Sequence, residues 1–162
     1  MLDVNKYYIV TGTGFMTHDF NWINSNIPSG YKVDIKNITY DNSTFELMGP
    51  KSREIVSKVF NDVNFSNENF PFMTFKIFTY NDTEVRIMRA SFTGEMGYEI
   101  YINPKFSLAL WEKIFDHGRQ FNLVPYGTET MHLLRAEKGY VVIGQETDGT
   151  VTPIDINFTW MI

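Results

Sequence analysis

The chain has 162 residues, 19 acidic against 14 basic side chains, a net charge of −5 and no cysteine. The absence of cysteine removes disulfides, thiolate catalysis and Cys-ligated zinc, and His18, His117 and His132 lack ligand spacing, so no protein-held metal is expected. Scattered basic residues and a pI near 5.1 argue against nucleic-acid binding, while 43% apolar residues indicate a globular domain.

In chain order, Tyr7 to Thr11 reads as a strand, and Thr17 is positioned to cap a short helix running to Ile27, stopped by Pro28-Ser29-Gly30. Residues 31–37 alternate Tyr31, Val33 and Ile35 with Lys32, Asp34 and Lys36, the pattern of a half-buried strand. Thr44 to Met48 gives a further strand. Gly49-Pro50 then opens a helix striped by Ile55, Val56, Val59 and Phe60, and an Asn-rich loop over 61–70 follows.

Met73 to Tyr80 and Thr83 to Arg89 form a predicted hairpin turning at Asn81-Asp82, two residue types that tolerate left-handed backbone. Ala90 to Glu95 and Tyr98 to Ile102 extend the sheet around a kink at Gly94 and Gly97. Asn103 caps the next helix and Pro104 opens it, with Phe106, Leu110, Trp111, Ile114 and Phe115 on its buried face and Gly118 ending it. A last helix spans about Thr128 to Lys138 and stops at Gly139; beyond Val142 the chain is loop-like. Runs of strands separated by single helices predict an α+β fold rather than a doubly wound parallel sheet. No apolar run is long enough to span a bilayer and MLDVNKYYIV has no signal-peptide pattern, so a cytoplasmic setting is expected.

Two segments carry the functional signal: SFTGEMGYEI from Ser91 to Ile100 and TETMHLLRAEKGY from Thr128 to Tyr140. Glycines on both sides of Glu95 imply a sharp bend that presents the carboxylate. Taken alone, a tight turn with a solvated acid is the better account of it.

Together with PFMTFKIF and VIGQETDGTVTPID, these segments resemble the tetrahydrofolate-binding aminomethyltransferase family. The glycine-cleavage T protein, dimethylglycine dehydrogenase and sarcosine oxidase belong to that family, and the wording is most similar to the carboxy-terminal part of the sarcosine oxidase alpha subunit. The resemblance implies most of the later half of a duplicated α+β folate domain, so residues 1–162 are expected to be a partial domain prone to self-association through exposed sheet edges. It implies tetrahydrofolate as cofactor, with flavin and NAD confined to other domains, and other sarcosine oxidase subunits as partners. The implied chemistry is capture of carbon from oxidised sarcosine as 5,10-methylenetetrahydrofolate, leaving glycine. Dimethylglycine dehydrogenase or T-protein chemistry, or a non-catalytic folate-binding or assembly module, are the alternatives.

Residue by residue, the family's pterin-binding acid maps onto Glu95, whose carboxylate would accept both N–H donors of the 2-amino-4-oxo edge. Arg135 has two readings: a structural partner of Glu137, Glu129 or a strand carboxylate, or a contact for the anionic glutamyl tail. Phe92, where many T proteins have Tyr, and Tyr140 are candidate ring contacts as well as packing residues; Tyr98 and Trp160 read more simply as packing. His132 reads as a hydrogen-bonded core residue and Glu99 as structural or solvated. Met131 and His132 stand where many relatives have Arg-Asp, a departure from the family's pattern. The family's transferase aspartate lies upstream of a strand resembling YYIVTGTG; Asp3 does not match its position, and no catalytic residue is assigned.

Overall fold

The computed structural model describes residues 1–159 and divides into two units, Met1–Asn42 and Ser43–Ile162. Within the first unit lies α1 (Met16–Ser25), preceded by a 3-10 turn at Thr13–Phe15. Thr17 falls inside α1 rather than at its cap, because the chain enters through that turn; the capping position is Phe15, which has no side-chain acceptor to offer. The strands expected at Tyr7–Thr11 and 31–37 do not form. Alternation predicts a strand only where a ladder partner exists, and here Tyr7, Ile9, Tyr31 and Val33 stay exposed.

The second unit is the expected α+β arrangement. Its sheet contains β1 (Ser43–Met48), β2 (Phe75–Tyr80), β3 (Thr83–Met88) and β4 (Gly97–Ile102) in the order β1-β4-β3-β2, antiparallel throughout. The hairpin closes at Asn81 and Asp82, both in the left-handed region at φ 48° and 59°, which matches the right-handed twist of the flanking strands. Against one face pack α2 (Ser52–Val59) and α3 (Ser107–Gly118). Asn103 accepts a hydrogen bond from the Lys105 backbone N–H and Pro104 opens a 3-10 turn, so α3 starts three residues later than the cap alone suggests.

The core is the set of residues that alternation points inward: Leu47, Val85, Ile87, Tyr98, Ile100 and Ile102 from the strands, with Ile55, Val56, Val59, Leu110 and Ile114 from the helices. Phe65 and Phe70, in the Asn-rich loop, are also buried, and both rings pack against Tyr98 at 5.6 and 5.8 Å. Trp111 departs from its expected burial. It is 41% exposed, covering the edge of the core against Phe115 (4.5 Å) and Phe45 (5.8 Å).

On the opposite face of the sheet charged groups mix with apolar ones, Phe75 and Ile77 among them. Glu46 and Glu99 sit directly across from each other on β1 and β4, and the Tyr101 hydroxyl donates to Glu99 at 2.5 Å. α4 (Thr128–Glu137) follows α3, and Gly139 at φ +75° ends it as expected. No helix among the described residues is long and apolar enough to cross a membrane.

Candidate functional site

Residues 90–96 do not continue the sheet as expected. Gly94 adopts φ +74°, which ends extended backbone, and side-chain hydrogen bonds replace the ladder. The buried Thr93 hydroxyl lies 3.3 Å from the Ser91 hydroxyl and accepts the Glu95 N–H at 3.5 Å. Behind the turn, the Met96 carbonyl accepts both the Gly49 N–H (2.8 Å) and the buried Ser52 hydroxyl (3.0 Å). The corner between β1 and α2 thus fixes the Met96–Gly97 peptide, one residue beyond Glu95.

Each flanking glycine is required for a different reason. At Gly94 an added Cβ would meet the Lys138 Cβ and Cγ at 2.8 Å, on top of the positive φ. At Gly97 it would overlap Met48 Sδ and come within 2.8 Å of the Ala90 carbonyl oxygen. The chain therefore approaches α4 and β1 closely on either side of Glu95.

Glu95 projects from this turn with its side chain 34% exposed, and its Oε1 accepts from Lys138 Nζ at 2.6 Å. That hydrogen bond and the carboxylate's charge hold the Lys138 ammonium above its ordinary pKa. Lys138 was not singled out from the sequence. Its signal there is position: the last cation before the helix-ending Gly139, in the segment paired by resemblance with the Glu95 turn.

Arg135 is buried, 4% exposed. Its guanidinium donates to the Tyr140 carbonyl at 3.0 Å and to Glu146 Oε1 at 2.7 Å. The partner expected among Glu129, Glu137 or a strand acid is instead Glu146, contributed by the GQETDG segment. The Arg135 hydrogen bond, followed by that of the Val142 N–H to Glu146 Oε2 (2.7 Å), holds the Glu146 carboxyl below the usual carboxylate range. The Tyr140 N–H returns to the Arg135 carbonyl at 2.9 Å and the Gly139 N–H to Ala136 at 2.9 Å, a Schellman-type closure of α4.

Phe92, half-buried, meets His132 edge-on at 5.8 Å. The expected hydrogen bond at His132 Nδ1 is not made: that atom is buried without a partner among the described residues, as is Arg135 Nε. Tyr140 is 42% exposed and its ring edge lies beside Gly94. The structure thus brings Glu95, Lys138 and Tyr140 together at Gly94, with Arg135 behind them, and places Phe92 against His132. Trp160 lies outside the described residues.

A groove of about 290 Å³ runs beside this cluster, between β1, α3 and residues 123–131. Glu95 does not line it, but Met48, which reaches Gly97, does, as does Met131 of α4. Its titratable lining groups are Glu46, pushed up in pKa by burial and then by Glu99, and Tyr126, pushed up by burial and then by Glu46; Thr44 and Thr128 add hydroxyls.

Together these features define an α+β domain that presents one carboxylate on a glycine-flanked, anchored turn against the end of a helix. The chain belongs to the family described as the GCVT N-terminal domain, whose model matches residues 1–162. It is 39% identical over 162 residues to a sarcosine oxidase subunit alpha of Corynebacterium sp. strain P-1, covering 98% of this chain and 17% of that protein. Similarity extends to an aminomethyltransferase of Halothermothrix orenii (31%, covering 99% of this chain and 44% of that protein). A mitochondrial dimethylglycine dehydrogenase of Homo sapiens is 30% identical, covering 97% and 18%. The chain spans less than half the length of each of these relatives.

Proposed function

We propose that this chain is the tetrahydrofolate-binding part of a sarcosine oxidase alpha-like protein, supporting formation of 5,10-methylenetetrahydrofolate as sarcosine is converted to glycine. The observation that carries it is Glu95, an accessible carboxylate whose turn is fixed by a left-handed Gly94, a close-packed Gly97 and a doubly bonded Met96 carbonyl. A carboxylate on a fixed turn can accept the amino–N3 edge of a pterin, two parallel N–H donors, in a bidentate pair. When bound, tetrahydrofolate supplies the nitrogens that take up the one-carbon unit.

The chain's own residues would bind and orient. Glu95 receives the pterin edge, and Tyr140 and Phe92 are the aromatic surfaces nearest that turn and the adjoining face of α4. Arg135, buried and committed to Glu146 and the Tyr140 carbonyl, positions the 138–140 segment. No residue here is assigned the proton transfer at the folate nitrogens. Other subunits of such an enzyme as partners, and a cytoplasmic setting, belong to the same proposal. The higher identity to the sarcosine oxidase subunit than to the aminomethyltransferase or dimethylglycine dehydrogenase favours this branch.

Isothermal titration with folinic acid tests the reading. Glu95→Gln replaces one acceptor oxygen by a donor facing the pterin's donors. It should weaken binding by about 30- to 1000-fold, or roughly 2–4 kcal/mol. A folded variant that binds within threefold of the wild type removes Glu95 from the site.

A further inference from the structure

We propose that the free edge of β1 is a docking site for an extended peptide segment of a partner chain, in which apolar residues alternate with basic ones. The apolar side chains lie against Trp111 and Phe115, and a basic one lies against Glu46. This does not depend on the folate reading, since the groove at that edge is not lined by Glu95.

The groove is built on a strand edge. β1 ends the order β1-β4-β3-β2, so one of its edges has no ladder partner. Residues 44–48 all line the groove, although neighbours along a strand point to opposite faces. Five consecutive residues share one groove only when the backbone edge itself forms its floor. Across the groove, residues 123–127 make no backbone hydrogen bond to that edge among the described residues. Every second residue of β1 therefore turns an unpaired N–H and C=O into the groove. An added strand is the occupant that satisfies them in sequence.

The two walls differ, and the difference has the period of a strand. On the α3 side, Phe45 stands against Trp111 at 5.8 Å and Trp111 against Phe115 at 4.5 Å, an apolar wall. On the other side stands Glu46. It has no hydrogen bond or ion pair among the described residues, and its charge meets only burial and the like charge of Glu99 across the ladder. Tyr126 is near enough to feel that charge, and its hydroxyl is buried without a partner among the described residues. A segment with an apolar side chain on one face and a cation on the next complements both walls. A second copy of β1 does not. Paired antiparallel with itself, the strand sets Glu46 opposite or diagonal to its own counterpart, a like-charge contact that opposes association.

The test measures fluorescence anisotropy of two dye-labelled peptides on the whole chain, Val-Lys-Val-Lys-Val and the same peptide with glutamate in place of lysine. Amide hydrogen exchange then locates the bound peptide. The lysine peptide should bind the wild type about tenfold more tightly than the glutamate peptide, the cross-strand charge term taken with both signs. Glu46→Gln should weaken the lysine peptide by about fivefold, and Glu46→Lys should reverse the preference between the two. Glu46→Gln keeps the size of the side chain and removes a charge that opposes folding, so its loss of binding is not a loss of fold. On binding, exchange should slow at residues 43–48 and stay unchanged at 75–80, the other edge of the sheet. A lysine peptide that does not bind, equal binding of both peptides, or a lysine-peptide affinity that Glu46→Gln leaves unaltered would overturn the proposal. Protection at 75–80 instead of 43–48 would also overturn it. So would protection of 43–48 brought on by raising the chain's own concentration without peptide, which assigns the edge to a second copy.

Discussion

Gly97→Ala isolates the cost of holding the Glu95 turn close to its neighbours. The added methyl overlaps Met48 Sδ and reaches within 2.8 Å of the Ala90 carbonyl oxygen. The thioether is the end of a flexible side chain and can turn aside. The carbonyl is backbone and cannot, so either β4 or the 90–96 bend must shift. Overpacking of this kind costs about 1–3 kcal/mol, and about 2 kcal/mol is expected here because one of the two neighbours yields. For a chain of this length that is a fall of about 4–8 °C in Tm. Gly94→Ala should cost about 1–2 kcal/mol for its left-handed backbone, plus the displacement of the Lys138 stem. Gly149→Ala is the control, since a Cβ there meets nothing within 4 Å and its φ is not positive. The measurement is thermal unfolding followed by circular dichroism, repeated in urea. If Gly97→Ala melted within about 1 °C of both the wild type and Gly149→Ala, the close approach inferred at Gly97 would be wrong.

Ile100→Ala, in the centre of β4 and fully buried, should lower stability by about 2–5 kcal/mol, read from the urea midpoint. Glu46→Gln should do the opposite at neutral pH. The Glu46 carboxyl is raised in the fold, so its charged form opposes folding: stability is fully present below the ordinary carboxylate pKa of 4.5 and is lost as pH rises through the folded value. Removing the charge should therefore stabilise at pH 7 by about 0.5 kcal/mol, small because the group is half-exposed, and the gain should vanish below pH 4.5. Glu146 runs the other way: its depressed carboxyl contributes stability above 4.5 that disappears as pH falls through the folded value. Glu146→Gln should flatten the acid limb of Tm against pH, and an acid limb identical to the wild type's would contradict that role.

Sequence reading succeeded where the signal was local. Asn81-Asp82 located the hairpin because those two residues tolerate the φ values the turn needs, and the apolar spacing of Ile55, Val56 and Val59 located α2. It failed where structure depends on a distant partner. Tyr31 and Val33 alternate well but find no ladder, and the extended reading of Ala90–Glu95 could not weigh the Ser91 and Thr93 hydroxyls against β pairing. The bend that presents Glu95 was legible from its two glycines. The Glu146 partner of Arg135 was not, since eleven residues and a helix end separate them and no periodicity links them. Lys138 was hidden for a simpler reason: a lysine before a helix-ending glycine is ordinarily solvated.

The Arg135–Glu146 pair acts as a latch on chain geometry. Arg135 grips the peptide at Tyr140 from one side, while Glu146, from the loop beyond, grips Arg135 and the Val142 N–H together. The segment from 138 to 142 is thereby closed into a small loop whose opening lies against Gly94. A cut or insertion between 142 and 146 would leave the sheet and its helices intact and yet release Lys138 from the Glu95 carboxylate. The two motifs of this chain are thus held in register by a residue that belongs to neither.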